Sequence, residues 1–322
     1  MFRRDGESWF VVDGHTQFWD GSPANQINRY GEGYVRCLHD FHRRLSPAEH
    51  RWSLAEFERY PEERLIHDLF ETGYDDVAIL QPADRPDWFV NGFDTTEQNG
   101  EVAERHPGRF VVNGRWDPRD GEAGLDRLEA LHERWQLPGV MVCTAEWKGV
   151  SKGWRLSDPW ACRYLEKCEE LGIRNIHVQK GPAFYPMSRD AADVADVDDA
   201  ATAFPGLRFV VEHVGLPRIE EFCWIATQEP NVYGGLAAAL PFLHTRPRYF
   251  ARILGELLYW IGEDRILFGS AYAIWHPKWL IERFAAFQIP EDMQGEYGLV
   301  TPEMKRKILG LNAARLYDLK VE

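Results

Sequence analysis

The sequence has few cysteines and no long apolar run, and these absences exclude several classes of protein. Its 322 residues include five cysteines, an odd number without metal-binding or redox spacing, as is typical of reduced thiols in the cytoplasm. No stretch approaches the roughly 20 apolar residues of a membrane-spanning helix. The N-terminus lacks the apolar core of a secretory signal peptide. We therefore expect a cytoplasmic protein that does not enter a membrane.

Clustered positive charge and nucleotide-binding glycine motifs are also missing. The formal net charge is −14, whereas a surface that binds nucleic acid needs clustered lysine and arginine. The sequence contains neither a phosphate-binding loop nor a dinucleotide fingerprint. We expect no nucleic-acid partner, and we expect any ligand to be a small molecule.

Short β-rich segments alternate with amphipathic helical stretches, a pattern typical of parallel α/β proteins. Eight such alternations without a dinucleotide fingerprint favour a closed (β/α)₈ TIM barrel, whose sites lie at the carboxyl ends of its strands. We predict one domain over residues 1–322, with a C-terminal helix against the outside of the barrel. The predicted strands span residues 9–13, 76–80, 109–113, 139–143, 175–179, 207–212, 232–234 and 265–268.

A long insertion at residues 21–61 follows the first predicted strand. A segment of this length inside a compact domain usually closes over a site or forms a subunit interface. We therefore predict that it covers the barrel mouth or packs against another subunit.

Polar residues cluster where several predicted strands end. Because side chains alternate along a strand, Asp13, His15 and Gln17 share one face of the first strand. The corresponding segments of the chain are Asp13-Gly14-His15-Thr16-Gln17, His177-Val178-Gln179, Glu212-His213 and Gly269-Ser270-Ala271.

These segments resemble the amidohydrolase-related family that includes aminocarboxymuconate semialdehyde decarboxylase and aromatic acid decarboxylases. The resemblance extends to the closing segment Asn312-Ala313-Ala314-Arg315-Leu316-Tyr317. It implies a TIM barrel with a divalent metal, usually zinc, at the strand ends. Such a metal activates a bound water or polarises a substrate carbonyl.

The resemblance also implies which positions hold the metal, and three of the five carry other residues. His15 and His213 are retained, whereas Gln17, Gln179 and Ala271 stand where the family has two further histidines and an aspartate. A glutamine oxygen is a weaker zinc ligand than imidazole, and Ala271 removes an anionic ligand that also moves protons. We predict either no metal or a weakly bound divalent metal such as zinc.

Two interpretations of these residues stay open. Either His15 and His213 keep a weak metal, or they join the glutamines in a metal-free polar network, where each unpaired buried group would cost about 1–3 kcal/mol. His177 either serves as a third imidazole or lies one layer deeper in the barrel.

Other polar residues near strand ends are candidates for pocket roles. Glu146 and Lys180 offer acid–base groups or loop salt bridges. Arg115 offers a clamp for a substrate carboxylate or an ion pair with Asp117. His276 belongs either to the pocket or to the start of the next helix.

Two functions are consistent with this pattern. In the first, the chain has lost the metal-dependent reaction and is a non-catalytic or supporting subunit of a homo- or hetero-oligomer, paired with an active paralogue or an associated oxygenase system. In the second, it is a hydrolase or non-oxidative decarboxylase that acts on a small carboxylated or aromatic substrate with a rebuilt site.

Overall fold

Eight parallel strands form the centre of the computed structural model, which describes residues 1–4 and 6–321. Before them, Phe2–Arg4 and Glu7–Trp9 form an antiparallel hairpin. The eight strands are β1 Val12–Thr16, β2 Val77–Leu80, β3 Phe110–Val112, β4 Gly139–Val142, β5 Asn175–Gln179, β6 Arg208–Glu212, β7 Val232–Gly235 and β8 Ile266–Leu267.

The strands close into a barrel. Strands β1 to β3 pair in chain order, as do β4 to β8. The two groups meet through parallel bridges, Gly114 with Val140 and Thr16 with Tyr272, and the Gly14 N–H donates to the Phe268 carbonyl at 3.0 Å. The predicted (β/α)₈ barrel is confirmed. The first strand begins later than predicted because residues 7–9 are used in the hairpin.

Helices follow the strands and form the outer layer. None of the helices in the described part of the chain is long and apolar enough to cross a membrane. Two of them continue into π-helical turns, His67–Glu71 and Lys307–Leu311. The α-helices are Arg29–Leu45, Leu54–Glu58, Glu62–Ile66, Thr96–Arg105, Gly121–Trp135, Pro159–Leu171, Asp196–Ala203, Ile219–Gln228, Phe242–Thr245, Pro247–Ile261, Pro277–Ala286, Gln294–Tyr297, Pro302–Arg306 and Asn312–Leu316.

The segment between β1 and β2 is largely helical and packs across the barrel mouth. The helix Arg29–Leu45 starts where the Asn28 side chain accepts the Tyr30 N–H. Its buried residues include Tyr34, Leu38 and His42, which recur every fourth position and therefore face the barrel together. This packing places the helix over the carboxyl ends of the strands.

His42 fastens this helix to the barrel. Its Nδ1 donates to the Ile274 carbonyl at 2.7 Å, and its Nε2 accepts the Trp52 N–H at 2.7 Å. Both bonds require a neutral imidazole with its proton on Nδ1. Burial lowers the pKa of His42 to about 4.

We predicted that the C-terminal helix lies against the outside of the barrel, and this prediction is wrong. The helix lies across the end of the barrel that is opposite the mouth. Leu316 accepts hydrogen bonds at its carbonyl from Asn175 and Arg208, at 3.1 and 2.7 Å. Ala313 and Leu316 also pack on apolar side chains from inside the barrel. The opening between the strands at that end is thus a better place to bury apolar surface than the outer layer, which the other helices already cover.

Replacing His42 by alanine should lower the free energy of unfolding by about 2–4 kcal/mol at pH 7, because two buried backbone groups lose their partners. The difference in the free energy of unfolding between this variant and the natural chain should narrow on acidification. The ordinary pKa is 6.5 and the folded value is about 4, so only the unfolded natural chain gains a proton in that window. The free energy of unfolding of the natural chain then falls by up to about 1.4 kcal/mol per pH unit.

Denaturant unfolding of both proteins at pH 7.0, 6.0 and 5.0 measures this narrowing. His67→Ala, which removes an exposed histidine, serves as the control. A difference between His42→Ala and the natural chain that stays constant over this range would contradict the account.

Candidate functional site

A small cavity lies at the carboxyl ends of the strands, beneath the helix Arg29–Leu45. Its volume of about 20 Å³ has room for a species of water size. All five residues at the predicted metal positions line it. The lining consists of His15, Gln17, Tyr34, Leu38, Met141, Gln179, Phe184, His213, Ala238, Ala271, Ile274 and Trp275.

One layer below the cavity, Glu212 holds two histidines. Its Oε2 lies 2.9 Å from Nδ1 of His15, and its Oε1 lies 2.6 Å from Nδ1 of His177. All three side chains are buried. Sequence analysis did not single out Glu212, although strand alternation from Val210 places it inside the barrel.

The network continues to the far end of the barrel. The Tyr317 hydroxyl lies 2.7 Å from Nε2 of His177. The same hydroxyl accepts a hydrogen bond from the Asn113 amide at 2.8 Å. The simplest assignment has the Tyr317 O–H donating to His177, whose Nδ1–H donates to Glu212. His177 therefore lies in the deeper layer, away from the cavity lining.

The charges in this network depend on one another. Burial opposes the charge of Glu212, but contacts with His15 and His177 hold the pKa of that carboxyl far below its ordinary range. Burial likewise opposes protonation of His15, yet the Glu212 charge outweighs it, and the pKa of His15 is raised. His15 and Glu212 thus form a buried ion pair.

His213 differs from His15 in both environment and charge. Its backbone is left-handed, with φ of 63°, and its Nδ1 accepts the Ala238 N–H at 3.2 Å. Burial, reinforced by the charge of His15, lowers the pKa of His213 to about 4. The two rings lie 5.5 Å apart, so a charged and a neutral imidazole border the same cavity.

The two glutamines are tied to other groups. The Gln17 amide donates to the Gln81 carbonyl at 3.2 Å. The Gln179 oxygen accepts from the guanidinium of Arg85 at 3.3 Å. Arg85 is buried and also pairs with Glu146. Sequence reasoning missed Arg85, which lies in an irregular loop after β2 and follows no periodic pattern.

These residues do not match the ligand set of a divalent metal. Zinc sites use several thiolate, imidazole or carboxylate ligands, but the Gln179 oxygen already binds a cation and Ala271 has no donor atom. In residues 1–4 and 6–321, no group of three or more His, Cys, Asp or Glu side chains is arranged to hold a metal ion. The two oxygens of the Glu212 carboxylate already lie 2.9 Å from His15 and 2.6 Å from His177.

Of the other candidates, Glu146 and Arg115 lie together beside Arg85. The Arg115 guanidinium is 2.9 Å from Glu146, and contacts with Arg115 and Arg85 lower the pKa of Glu146 despite burial. Asp117 pairs instead with Arg119. The predicted clamp residue is thus part of a buried ion-pair cluster.

Lys180 and His276 lie elsewhere. The Lys180 ammonium is buried 2.7 Å from Asp196, an arrangement that fixes the loop after β5. His276 caps the helix Pro277–Ala286 by accepting the Lys278 N–H at 3.2 Å. Neither residue belongs to the cavity lining.

A larger cleft of about 660 Å³ opens above the cavity. Phe184 lines both spaces and separates them. The cleft wall is mainly aromatic and apolar, as is usual for small-molecule sites. Its aromatic side chains are Tyr30, Trp88, Trp147, Phe184 and Tyr185.

Comparison with known proteins agrees with the fold. A family model described as Amidohydrolase matches residues 12–319. No curated protein matches the chain significantly in sequence.

Several solved structures are similar over nearly the whole chain. An uncharacterised TIM-barrel protein from Bordetella bronchiseptica has 20% identity and a TM-score of 0.70, with 96% of this chain and 98% of that chain covered. The 2,6-dihydroxybenzoate decarboxylase from Rhizobium has 14% identity and a TM-score of 0.64, with 97% and 99% covered. The 5-carboxyvanillate decarboxylase from Novosphingobium aromaticivorans, solved with bound manganese, has 14% identity and a TM-score of 0.59, with 97% and 98% covered.

Replacing Glu212 by glutamine should remove the charge that keeps His15 protonated. We expect the pKa of His15 to fall below its ordinary value, because burial then acts without the opposing carboxylate. The loss of a buried ion-pair partner should also cost about 3–5 kcal/mol of stability. NMR titration of the imidazole nitrogens measures the pKa, and denaturant unfolding measures the stability.

The exposed carboxylate Glu71, which pairs with His67, provides a matched control in the variant Glu71→Gln. That variant should leave His15 unchanged. A His15 that titrates identically in Glu212→Gln and in the natural chain would contradict the ion pair.

Proposed function

The chain belongs to the amidohydrolase family, and on this basis we propose that it is a supporting subunit that has given up the metal-dependent reaction. In this proposal the partner is an active paralogue of the same family. The paralogue has a similar structure and binds a metal, whereas this chain does not. The fold is kept because it presents a rigid surface, which the loss of a ligand set does not disturb.

The bond from Arg85 to Gln179 carries the proposal. A guanidinium is permanently charged, and here it holds the oxygen that stands at a family metal position. A divalent cation at that place would meet positive charge and would gain no carboxylate in return, since Ala271 replaces the acid. Glu146 fixes Arg85 in this position, so rotation of the guanidinium away from the site would leave a buried carboxylate with one partner fewer.

An exposed aromatic cluster supports the presence of a partner. Trp224 and Tyr259 are 62% and 71% exposed, and the rings of Trp224 and Trp260 lie 4.7 Å apart. These residues come from the neighbouring helices Ile219–Gln228 and Pro247–Ile261, on the outer wall of the barrel. Aromatic side chains are enriched in protein interfaces and dominate their energetics.

A second function is favoured by the two imidazoles at the cavity. The charged His15 is an acid and the neutral His213 is a base, and groups whose pKa values are driven apart in this way are typical of acid–base catalysis. On this alternative the chain is a metal-independent hydrolase or decarboxylase that acts on a small carboxylated or aromatic compound bound in the cleft.

Untagged purification from the native source should recover a second chain with an intact His-x-His motif in equal amount. The double variant Trp224→Ala, Tyr259→Ala should lose that chain by roughly tenfold or more, since interface aromatics often contribute over 1.4 kcal/mol each. Quantitative mass spectrometry of the purified complex measures the ratio.

The exposed residues Val90 and Leu299 give a matched control, Val90→Ala, Leu299→Ala, which should keep the partner. If oxygenase subunits co-purify in place of a paralogue, the partner of this supporting subunit is the oxygenase system. A chain that purifies alone and, after treatment with a chelator, converts aromatic acids at a rate abolished by His213→Asn would contradict the supporting role and establish the alternative.

A further inference from the structure

Two buried N–H groups beside the cavity have no hydrogen-bond acceptor within the described residues. They are Nε2 of His213 and Nε1 of Trp275. Both residues line the cavity, and both are at least 97% buried. A buried donor without an acceptor is destabilising, so this pair indicates a missing acceptor.

The donor character of both groups is fixed by chemistry. The indole N–H of Trp275 can only donate. His213 accepts the Ala238 N–H at Nδ1, so its proton must sit on Nε2 in the neutral ring. The histidine nitrogen that borders the cavity is therefore a donor as well.

Among the described residues, no polar group of the cavity wall accepts a hydrogen bond from either donor. The Glu212 carboxylate is bound to His15 and His177, and the Gln179 oxygen is held by Arg85, which leaves the Gln179 amide N–H groups. No acidic side chain lines the cavity. The Gln17 oxygen is an acceptor in this wall, because the Gln17 amide nitrogen donates to Gln81.

We propose that the cavity binds one compact monovalent anion, of the size of chloride or formate, between the N–H groups of His213 and Trp275. The volume of about 20 Å³ limits the ligand to this size. The Gln179 amide provides a further donor. The methyl group of Ala271 leaves room for the ion at a place where a carboxylate would repel it.

The surroundings of this site favour an anion as the acceptor over a water molecule. Leu38, Phe184 and Ile274 close the cavity with apolar surface, and hydrogen bonds to a charged acceptor are stronger in such a low-dielectric space. Because these residues come from the covering helix and from the loops after β5 and β8, the ion would hold the barrel mouth together. This inference does not depend on whether the chain has a partner subunit.

Thermal unfolding of the full chain in different sodium salts tests the proposal. At constant ionic strength and with a chelator present, chloride, bromide and formate should each raise the melting temperature in a saturable manner, relative to gluconate, which is too large for the cavity. Crystals soaked in bromide should show an anomalous peak within hydrogen-bond distance of His213 Nε2 and Trp275 Nε1.

Two tryptophan variants separate anion binding from general packing. Trp275→Phe keeps an aromatic ring but removes the N–H, and we expect the midpoint concentration of bromide to rise roughly tenfold, as for loss of a hydrogen bond to a charged acceptor. Trp279→Phe removes a buried indole N–H outside the cavity lining and should leave that midpoint unchanged. His213→Asn, which retains a residue suited to a left-handed backbone, should also weaken bromide binding.

Three outcomes would overturn the proposal. The first is stabilisation by gluconate equal to that by chloride, with no bromide peak, since the acceptor is then water alone. The second is an anion effect that disappears when the chelator is added, since the anion then binds a metal. The third is an equal shift of the bromide midpoint in Trp275→Phe and Trp279→Phe.

Discussion

The ionised carboxylate of Glu212 in the middle of the barrel is the constraint on which the rest of the site depends. A charge taken out of water is costly unless its partners are close and well oriented. Here each oxygen meets one imidazole, at 2.9 Å and 2.6 Å. Through His15 the carboxylate determines the charge at the cavity, and through His177 and Tyr317 it fastens the C-terminal segment to the barrel. One ion pair therefore links the mouth of the barrel to its opposite end.

A second buried charge cluster changes what the mouth of the barrel can bind. Arg85 is held by Glu146 and in turn holds Gln179, so a guanidinium cation lies beside one of the predicted metal positions. Three residues here act in the same direction, since Arg85 contributes positive charge, Gln179 offers a neutral amide, and Ala271 carries no charge. In our proposal, this combination disfavours a cation at the mouth of the barrel and leaves a cavity lined by N–H donors.

The sequence was sufficient for the barrel and for part of the site. Short β-rich segments in alternation with helices predicted all eight strands. Of the two interpretations left open for His177, the structure has the deeper position, outside the cavity lining. Side-chain alternation along a strand would have identified Glu212, which sequence analysis passed over because it occupies no family metal position. Arg85 was beyond reach, because a loop residue without periodicity is placed by tertiary contacts. The predicted position of the C-terminal helix was wrong for a similar reason, since the burial of this helix depends on an opening that only the closed barrel defines.

Calorimetric titration with zinc, carried out on the natural chain and on the triple variant Gln17→His, Gln179→His, Ala271→Asp, distinguishes a lost metal site from a working one. Strand ends of a packed barrel fix the directions of their side chains, so the restored residues should converge with His15 and His213 on one point. We expect weak, sub-stoichiometric zinc binding by the natural chain and tight binding of about one zinc per chain by the triple variant. Tight stoichiometric zinc binding by the natural chain would contradict this account.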